Sequence, residues 1–216
     1  MQGALLDRDG VLLLMDEEAL YKRALELSLH GAGLDKTLAV LAWAVREVNE
    51  AVRTLRVRTL EEEAAFWNVL AQKVAEGLGL SGSAKTPLSA ELLSWRYYHF
   101  MRKAPGAEAL LRNLKERGLK VGVLSNTLPS LWESLAYHGL DRYVDGFFAS
   151  CSLGVAKPDP RAFQMALKGL GLAPEDTLYL DDDPENVEAA RRLGLQAEVY
   201  TPLGFQTPKE REAPPP

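Results

Sequence analysis

The sequence is poor in the residues that build several common kinds of site. Cys151 is the only cysteine among 216 residues, which excludes an intramolecular disulfide framework and a cysteine-cluster zinc site and suits a reducing compartment. It reads as a buried or half-buried thiol. The three histidines, His30, His99 and His138, show no metal-ligand spacing, which argues against a histidine-held zinc; His99 is placed where it can enter a pocket from above. No apolar run approaches the roughly 18 residues of a membrane span, and the N-terminus lacks a signal peptide's basic stretch and cleavage site, so a cytoplasmic protein is expected. A net charge of −5 leaves no general basic field. Neither nucleic acid nor an anionic membrane is then expected as the main partner, and a small molecule is.

With 47% apolar residues, a chain of this length can bury one good core and a smaller satellite unit. Gly3-Ala4-Leu5-Leu6 is a short apolar run ending abruptly in Asp7-Arg8-Asp9-Gly10, the pattern of a buried strand entering a turn. From Asp16 to Phe100 the period becomes helical, with segments Glu17 to Leu29, Leu38 to Leu55, Leu60 to Leu78 and Leu88 to Phe100, and no convincing strand. After Ala104-Pro105-Gly106, helix and strand patterns alternate. They run as a helix Ala107 to Arg117, a strand Leu119 to Leu124, a helix Leu128 to His138, and an apolar segment near Phe147 to Ala149. A helix from Asp159-Pro160, a strand Thr177 to Leu180, a helix from Asp183-Pro184 and a strand near Ala197 to Tyr200 follow. Such alternation predicts a parallel sheet with helices on both faces, a Rossmann-like three-layer αβα core formed by residues 1–15 and 101–205. Residues 16–100 are then an all-helical insertion after the first strand. Residues 206–216, charged and ending in three prolines, are expected to be a disordered tail. No internal repeat is present.

In an open parallel sheet, ligands collect at the carboxyl ends of the strands. Four such positions are chemically loaded: Asp7 with Asp9, Ser125 with Asn126, Lys157, and Asp181 with Asp182. Together they offer carboxylates for a hard cation such as Mg²⁺, a hydroxyl and amides for phosphate oxygens, and one fixed positive charge, which are the components phosphoryl transfer needs. A carboxylate nucleophile splits hydrolysis into two easier steps, and a second carboxyl group can protonate the leaving oxygen and later activate water. Asp7 and Asp9 fit those roles, and Gly10 permits close backbone approach to a phosphate.

The segments LLDRDGVL, VLSNT, KPDP and YLDDDPENVEAARRLG, in this order and each after a predicted strand, resemble the motifs of the haloacid dehalogenase superfamily. The resemblance implies Asp7 as nucleophile and metal ligand, and Asp9 as general acid/base whose backbone carbonyl also binds Mg²⁺. It implies Ser125 and the backbone of Asn126 as phosphate contacts, and Lys157 as partner to the phosphate and the nucleophile. Asp182 looks like the direct metal ligand, with Asp181 acting through a metal-bound water or a hydrogen bond. The helical insertion resembles the cap that many members place over the active site. The function implied is Mg²⁺-dependent hydrolysis of a small phosphorylated metabolite by a monomer or homodimer, with phosphomutase, dehalogenase and non-catalytic binding as alternatives. Arg8 departs from the apolar or aromatic residue usual between the two aspartates. It is grouped with the phosphate contacts through its backbone, its guanidinium being expected to matter less.

Several residues read better as structure than as chemistry. Asp159 and Asp183 each precede a proline in the manner of helix N-caps, and Asn186 is expected to tie its loop together. The aromatic residues Trp95, Tyr97, Tyr98 and Phe100, with Phe66 and Trp67, are expected to pack. Arg46, Arg53, Arg56 and Arg58 are expected to be solvated or paired with nearby glutamates.

Overall fold

A computed structural model describes residues 1–80 and 94–202. The strands β1 (Gly3–Leu6), β4 (Lys120–Ser125), β5 (Gly146–Ala149), β6 (Thr177–Asp181) and β7 (Gln196–Val199) form one parallel sheet in the order β5-β4-β1-β6-β7. All four residues of β1 are buried, as a central strand covered on both faces requires. In register, Leu6 lies opposite Val123 of β4 and Leu180 of β6. Asp7, Ser125 and Asp181 therefore arrive at one edge of the sheet.

Alternate residues of each strand face opposite layers. Ala4, Leu6, Val121 and Val123 pack with Leu111, Leu114, Leu131 and Leu135 of the helices α4 (Ala107–Glu116) and α5 (Leu131–Tyr137). Leu5, Leu124 and Tyr179 pack with Phe163, Leu167, Leu170 and Val187 of α7 (Pro160–Leu170) and α8 (Pro184–Arg192) on the other side. Complete burial of a side chain such as Phe163 contributes about 1.5–3 kcal/mol. A short helix, α6 (Ser150–Leu153), follows β5. A Cβ at Gly122 would overlap Leu170, so glycine there lets α7 lie close on β4.

The helical insertion starts with α1 (Glu17–Leu27), capped by the Asp16 carboxylate, which accepts from Ala19 N at 2.9 Å. A π-helical turn over Ser28–Ala32, then α2 (Leu34–Arg53) and α3 (Leu60–Gly77), complete its described part. Helix α2 begins four residues before the expected Leu38. Residues 88–93 of the fourth expected helix lie outside the described residues, and its end differs from the expectation: Arg96 is extended and Tyr97–Phe100 form a single 3₁₀ turn. Helix α5 starts at Leu131 and not at Leu128, because Pro129 disfavours helical backbone in the residue before it. The tail 206–216 also lies outside the described residues.

Sequence reading missed the antiparallel ribbon of β2 (Leu13–Met15) and β3 (Met101–Lys103), which pairs Leu14 with Arg102 where the chain leaves for the helical insertion and returns from it. Its three-residue strands are too short to show a period. Glu63 of α3 ties the insertion to the core. Buried, it accepts from Trp67 Nε1 at 2.9 Å, Ser130 N at 2.7 Å and Ser130 Oγ at 2.5 Å, at the start of α5. No helix among the described residues is long and apolar enough to cross a membrane.

Candidate active site

Asp7 leaves the end of β1 with its carboxylate buried beside Lys157, whose Nζ lies 2.9 Å from Asp7 Oδ1 and 2.7 Å from Asp181 Oδ2. Backbone N–H of Arg8 also donates to Asp7 Oδ1 at 2.7 Å. Asp181, fully buried at the end of β6, is held from several sides. Its Oδ2 accepts from Lys157, from the Tyr179 hydroxyl in a short bond, and from Asn186 Nδ2 at 3.1 Å, while its Oδ1 accepts from Asp183 N at 2.8 Å. Asn186 thus ties this loop together as expected, and Asp183 caps α8 by accepting from Glu185 N. Asp159 caps α7 in the same way.

One oxygen from each of Asp7, Asp181 and Asp182 falls within 4.8 Å of the others, a hard-donor set that fits a divalent cation such as Mg²⁺. Lys157 is the one lysine among the described residues that pairs with this set, so the buried cluster carries excess negative charge. Burial, together with the neighbouring Asp181 and Asp9 and against the pull of Lys157, pushes Asp7 up to about 7. Burial and Asp181 push Asp182 up to about 6. Burial alone would lower the Lys157 ammonium, but Asp7 and Asp181 outweigh it and hold it above its ordinary value.

Gly10 has φ +76°, and a Cβ there would overlap the Asp182 carboxyl group. The Ser125 hydroxyl is buried at the end of β4 with no hydrogen-bond partner among the described residues. Buried polar groups are normally paired, and a phosphate oxygen at this position would satisfy it. The side-chain amide of Asn126 exchanges two 2.9 Å bonds with the backbone N–H and C=O of Lys157, locking the lysine loop against the end of β4.

The Arg8 guanidinium, expected to matter less than the backbone, is closely held. Arg8 is 3% exposed, and its Nε and Nη2 close on Asp9 Oδ1 and Oδ2 at 2.9 and 2.7 Å. Nη1 donates to the Tyr97 hydroxyl in a short bond and lies 3.5 Å from Ser134 Oγ. Burial works against this cation, but Asp9 and Tyr97 hold it well above its ordinary range. Tyr97 also receives a 3.3 Å bond from Thr127 Oγ1.

Arg8, Asp9, Gly10, Asn126, Thr127 and Asp182 line one end of a cavity of about 610 Å³ that continues between α2 and α3. Trp67, Trp95, Tyr97 and Phe100 line it as well, so these aromatics do more than pack; Phe66 and Tyr98 do not reach it. His99 lies instead between Tyr98 and Tyr137. Arg53 and Arg56 are paired with Glu50 and Glu47 as expected. Cys151 is buried, and burial pushes its thiol up to about 11, which makes it a poor nucleophile.

Tyr179 was missed from sequence, although it sits two residues before Asp181 on one strand and therefore shares its face. The Asn126 amide and the contacts of Arg8 with Tyr97 and Ser134 carry no comparable local signal, since these partners are far away in the chain.

A parallel sheet that gathers carboxylates, a buried lysine and an unpartnered hydroxyl at its carboxyl edge, beneath an inserted helical cap, defines a doubly wound α/β protein with its ligand site at the strand ends. A family profile described as haloacid dehalogenase-like hydrolase matches residues 1–194. The phosphoserine phosphatase of Thermus thermophilus is 34% identical over 183 residues, covering 80% of this chain and 72% of that protein. Phosphatase MT3486 of Mycobacterium tuberculosis is 39% identical over 112 residues, 50% of each chain. Among solved structures, an enzyme of this family from Bacteroides thetaiotaomicron in complex with magnesium and inorganic phosphate superposes with a TM-score of 0.62 over 97% of this chain and 98% of its own, at 20% identity. The chain belongs to the haloacid dehalogenase-like hydrolase family.

Proposed function

We propose that the protein is a Mg²⁺-dependent phosphoric-monoester hydrolase that works through an aspartyl-phosphate on Asp7. The observation that carries this reading is the meeting of Asp7, Lys157, Asp181 and Asp182 within hydrogen-bond and ligand distance beside the unpartnered Ser125 hydroxyl. A phosphatase relative at 34% identity supports it.

In the first step an Asp7 oxygen attacks phosphorus and the bond to the ester oxygen breaks, while the Asp9 carboxyl gives its proton to the departing alkoxide. In the second, Asp9 takes a proton from water, the resulting hydroxide attacks phosphorus, and the bond to Asp7 breaks to release inorganic phosphate. Lys157 holds the nucleophile and balances charge on the transferring group, and Ser125 Oγ donates to one of its oxygens. Asp7, Asp182 and the backbone carbonyl of Asp9 would hold Mg²⁺, with Asp181 oriented by Lys157, Tyr179 and Asn186 in support. The ion, when bound, supplies positive charge that keeps the carboxylates ionised and offsets that of the phosphate.

Arg8 fits this scheme through Asp9. Its side chain fixes the carboxyl group that must serve as acid and then base, and its backbone N–H is spent on Asp7.

The test is phosphate release from a panel of phosphate monoesters with Mg²⁺ or chelator, using wild type beside Asp7→Asn. Metal-dependent release that vanishes in the variant is the expected result. Undiminished release from Asp7→Asn, or none from any ester in the wild type, would overturn the reading.

A further inference from the structure

The cavity bordered by Asp9, Gly10 and Asp182 is far larger than a phosphoryl group needs. Its volume of about 610 Å³ lies in the range that encloses an organic ligand. One end is polar, formed by Asp9, Gly10, Asn126, Thr127 and Asp182. Among the described residues the rest is mainly apolar: Leu41, Val45 and Val48 of α2 face Trp67, Leu70 and Val74 of α3, and Leu14 and Met101 of the ribbon close the side. Among the described residues the polar side chains on this wall are Asn49, Arg53 and Arg96. Arg53 is held by both oxygens of Glu50, and Arg96 donates to the Trp95 carbonyl with its guanidinium 5.8 Å from the Trp67 ring centre.

The wall decides what can leave. An ammonium and a carboxylate on the leaving group would lose water here and meet mostly aliphatic carbon, a large penalty. An alkyl or aryl chain would lose only unfavourable hydration, and each buried methylene would strengthen binding about fourfold.

Resting on the phosphatase reading above, we propose that this cavity is the leaving-group subsite and that the substrates are monophosphate esters of apolar alcohols, with an alkyl or aryl group of roughly six to ten heavy atoms. Polar esters such as phosphoserine are disfavoured by the same wall. Since phosphate remains at the polar end, chain length changes binding without changing the bond that breaks.

Wild-type kcat/KM with Mg²⁺ for ethyl, butyl, hexyl and 2-phenylethyl phosphate is compared with that for phosphoserine and glycerol 3-phosphate. The expected result is a rise of about fourfold per methylene, with hexyl and phenylethyl phosphate leading. Ala44→Phe, which fills the cavity between α2 and α3, and Val48→Asn, which makes its wall polar, should each flatten that rise, with melting curves showing that both fold. No rise with chain length, or a preference for phosphoserine or glycerol 3-phosphate, overturns the proposal. Calorimetry of hexylphosphonate with Asp7→Asn and Mg²⁺ separates the two readings. Binding that weakens in the double variant carrying Ala44→Phe, with no ester turned over by wild type, would keep the subsite and sink the phosphatase. Failure of hexylphosphonate to bind more tightly than ethylphosphonate would sink the subsite alone.

Discussion

Arg8 closes two of its N–H groups on the carboxylate of the residue next to it, Nε on Asp9 Oδ1 at 2.9 Å and Nη2 on Asp9 Oδ2 at 2.7 Å. Such a forked pair fixes the plane of the carboxylate as well as its distance. Its remaining nitrogen reaches Tyr97, in the 3₁₀ turn through which the chain returns from the helical insertion. The group assigned to proton transfer is therefore oriented from the region above the site as well as from the sheet.

Arg8→Met should slow alkyl phosphate hydrolysis by about 10–100-fold, part of the 10²–10⁴ that a positioned acid contributes. Nitrophenyl phosphate, whose leaving group departs without a proton, should be slowed far less. Measuring kcat for both esters checks this, and an equal loss on each would show that Arg8 serves the fold or the phosphate and not Asp9. Arg8→Lys cannot reproduce the fork and should rescue little.

The raised carboxyl groups make the metal-free protein sensitive to pH. Asp7, raised to about 7 in the folded chain against 3.8 as its ordinary value, stabilises the fold fully below pH ~4, and that stability is lost as pH rises through about 7. Asp182 acts in the same direction up to about 6. In chelator, wild type should lose stability relative to Asp7→Asn between about pH 4 and pH 7, by on the order of a few kcal/mol, and Mg²⁺ should reverse the loss in wild type only. Thermal melts across that range decide it. Parallel wild-type and variant curves would mean that Asp7 is already ionised without metal.

Much of this site could be read from residues because strand ends are legible. Asp7, Ser125 and Asp181 each close a short apolar run, and the parallel order of those runs brings them together. What could not be read depends on long-range approach. The ribbon of β2 and β3 joins residues from either side of the helical insertion, and Arg8 meets Tyr97 across the same gap. The aromatic run at Trp95 to Phe100 has a composition compatible with a helix, but Arg96 is extended and the turn after it puts Tyr97 over the site.

Ser125→Ala should separate binding from folding. The hydroxyl is buried without a partner among the described residues, so its loss should leave the melting temperature unchanged or slightly higher, while affinity for inorganic phosphate falls about tenfold, as loss of one hydrogen bond to a charged group implies. Calorimetric titration with phosphate and a melt on one sample read both quantities. A destabilised variant with normal phosphate affinity would place the hydroxyl in the core and outside the site.

Gly10→Ala should leave no usable site even though it adds one methyl group. The left-handed backbone at φ +76° disfavours any side chain, and the new Cβ would displace the Asp182 carboxyl group from the cluster it forms with Asp7 and Asp181. Mg²⁺-dependent phosphate release should fall by at least ~10²-fold, the cost of misplacing a charge-stabilising group. Kinetics at rising Mg²⁺ test the cause: activity recovered at high metal would mean weakened binding of the ion, and activity unaffected at any concentration would take Asp182 out of the metal set.

Glu63 gives the connection between the helical insertion and the core a measurable strength. Its two oxygens accept three hydrogen bonds, from Trp67 on its own helix and from the backbone and side chain of Ser130 on the core, in surroundings that leave it 2% exposed. In Glu63→Ala the Ser130 N–H, Ser130 hydroxyl and Trp67 N–H lose their acceptor while remaining buried, so the protein should lose about 2–4 kcal/mol. Glu63→Gln keeps one acceptor oxygen and the side-chain volume, and should lose less than half as much. Hydrogen exchange locates the effect. Faster exchange confined to α3 and the start of α5 in Glu63→Ala would show that this carboxylate docks the insertion. Uniform acceleration through the sheet would mean that the insertion and core unfold together and that Glu63 merely shares in the stability of the whole.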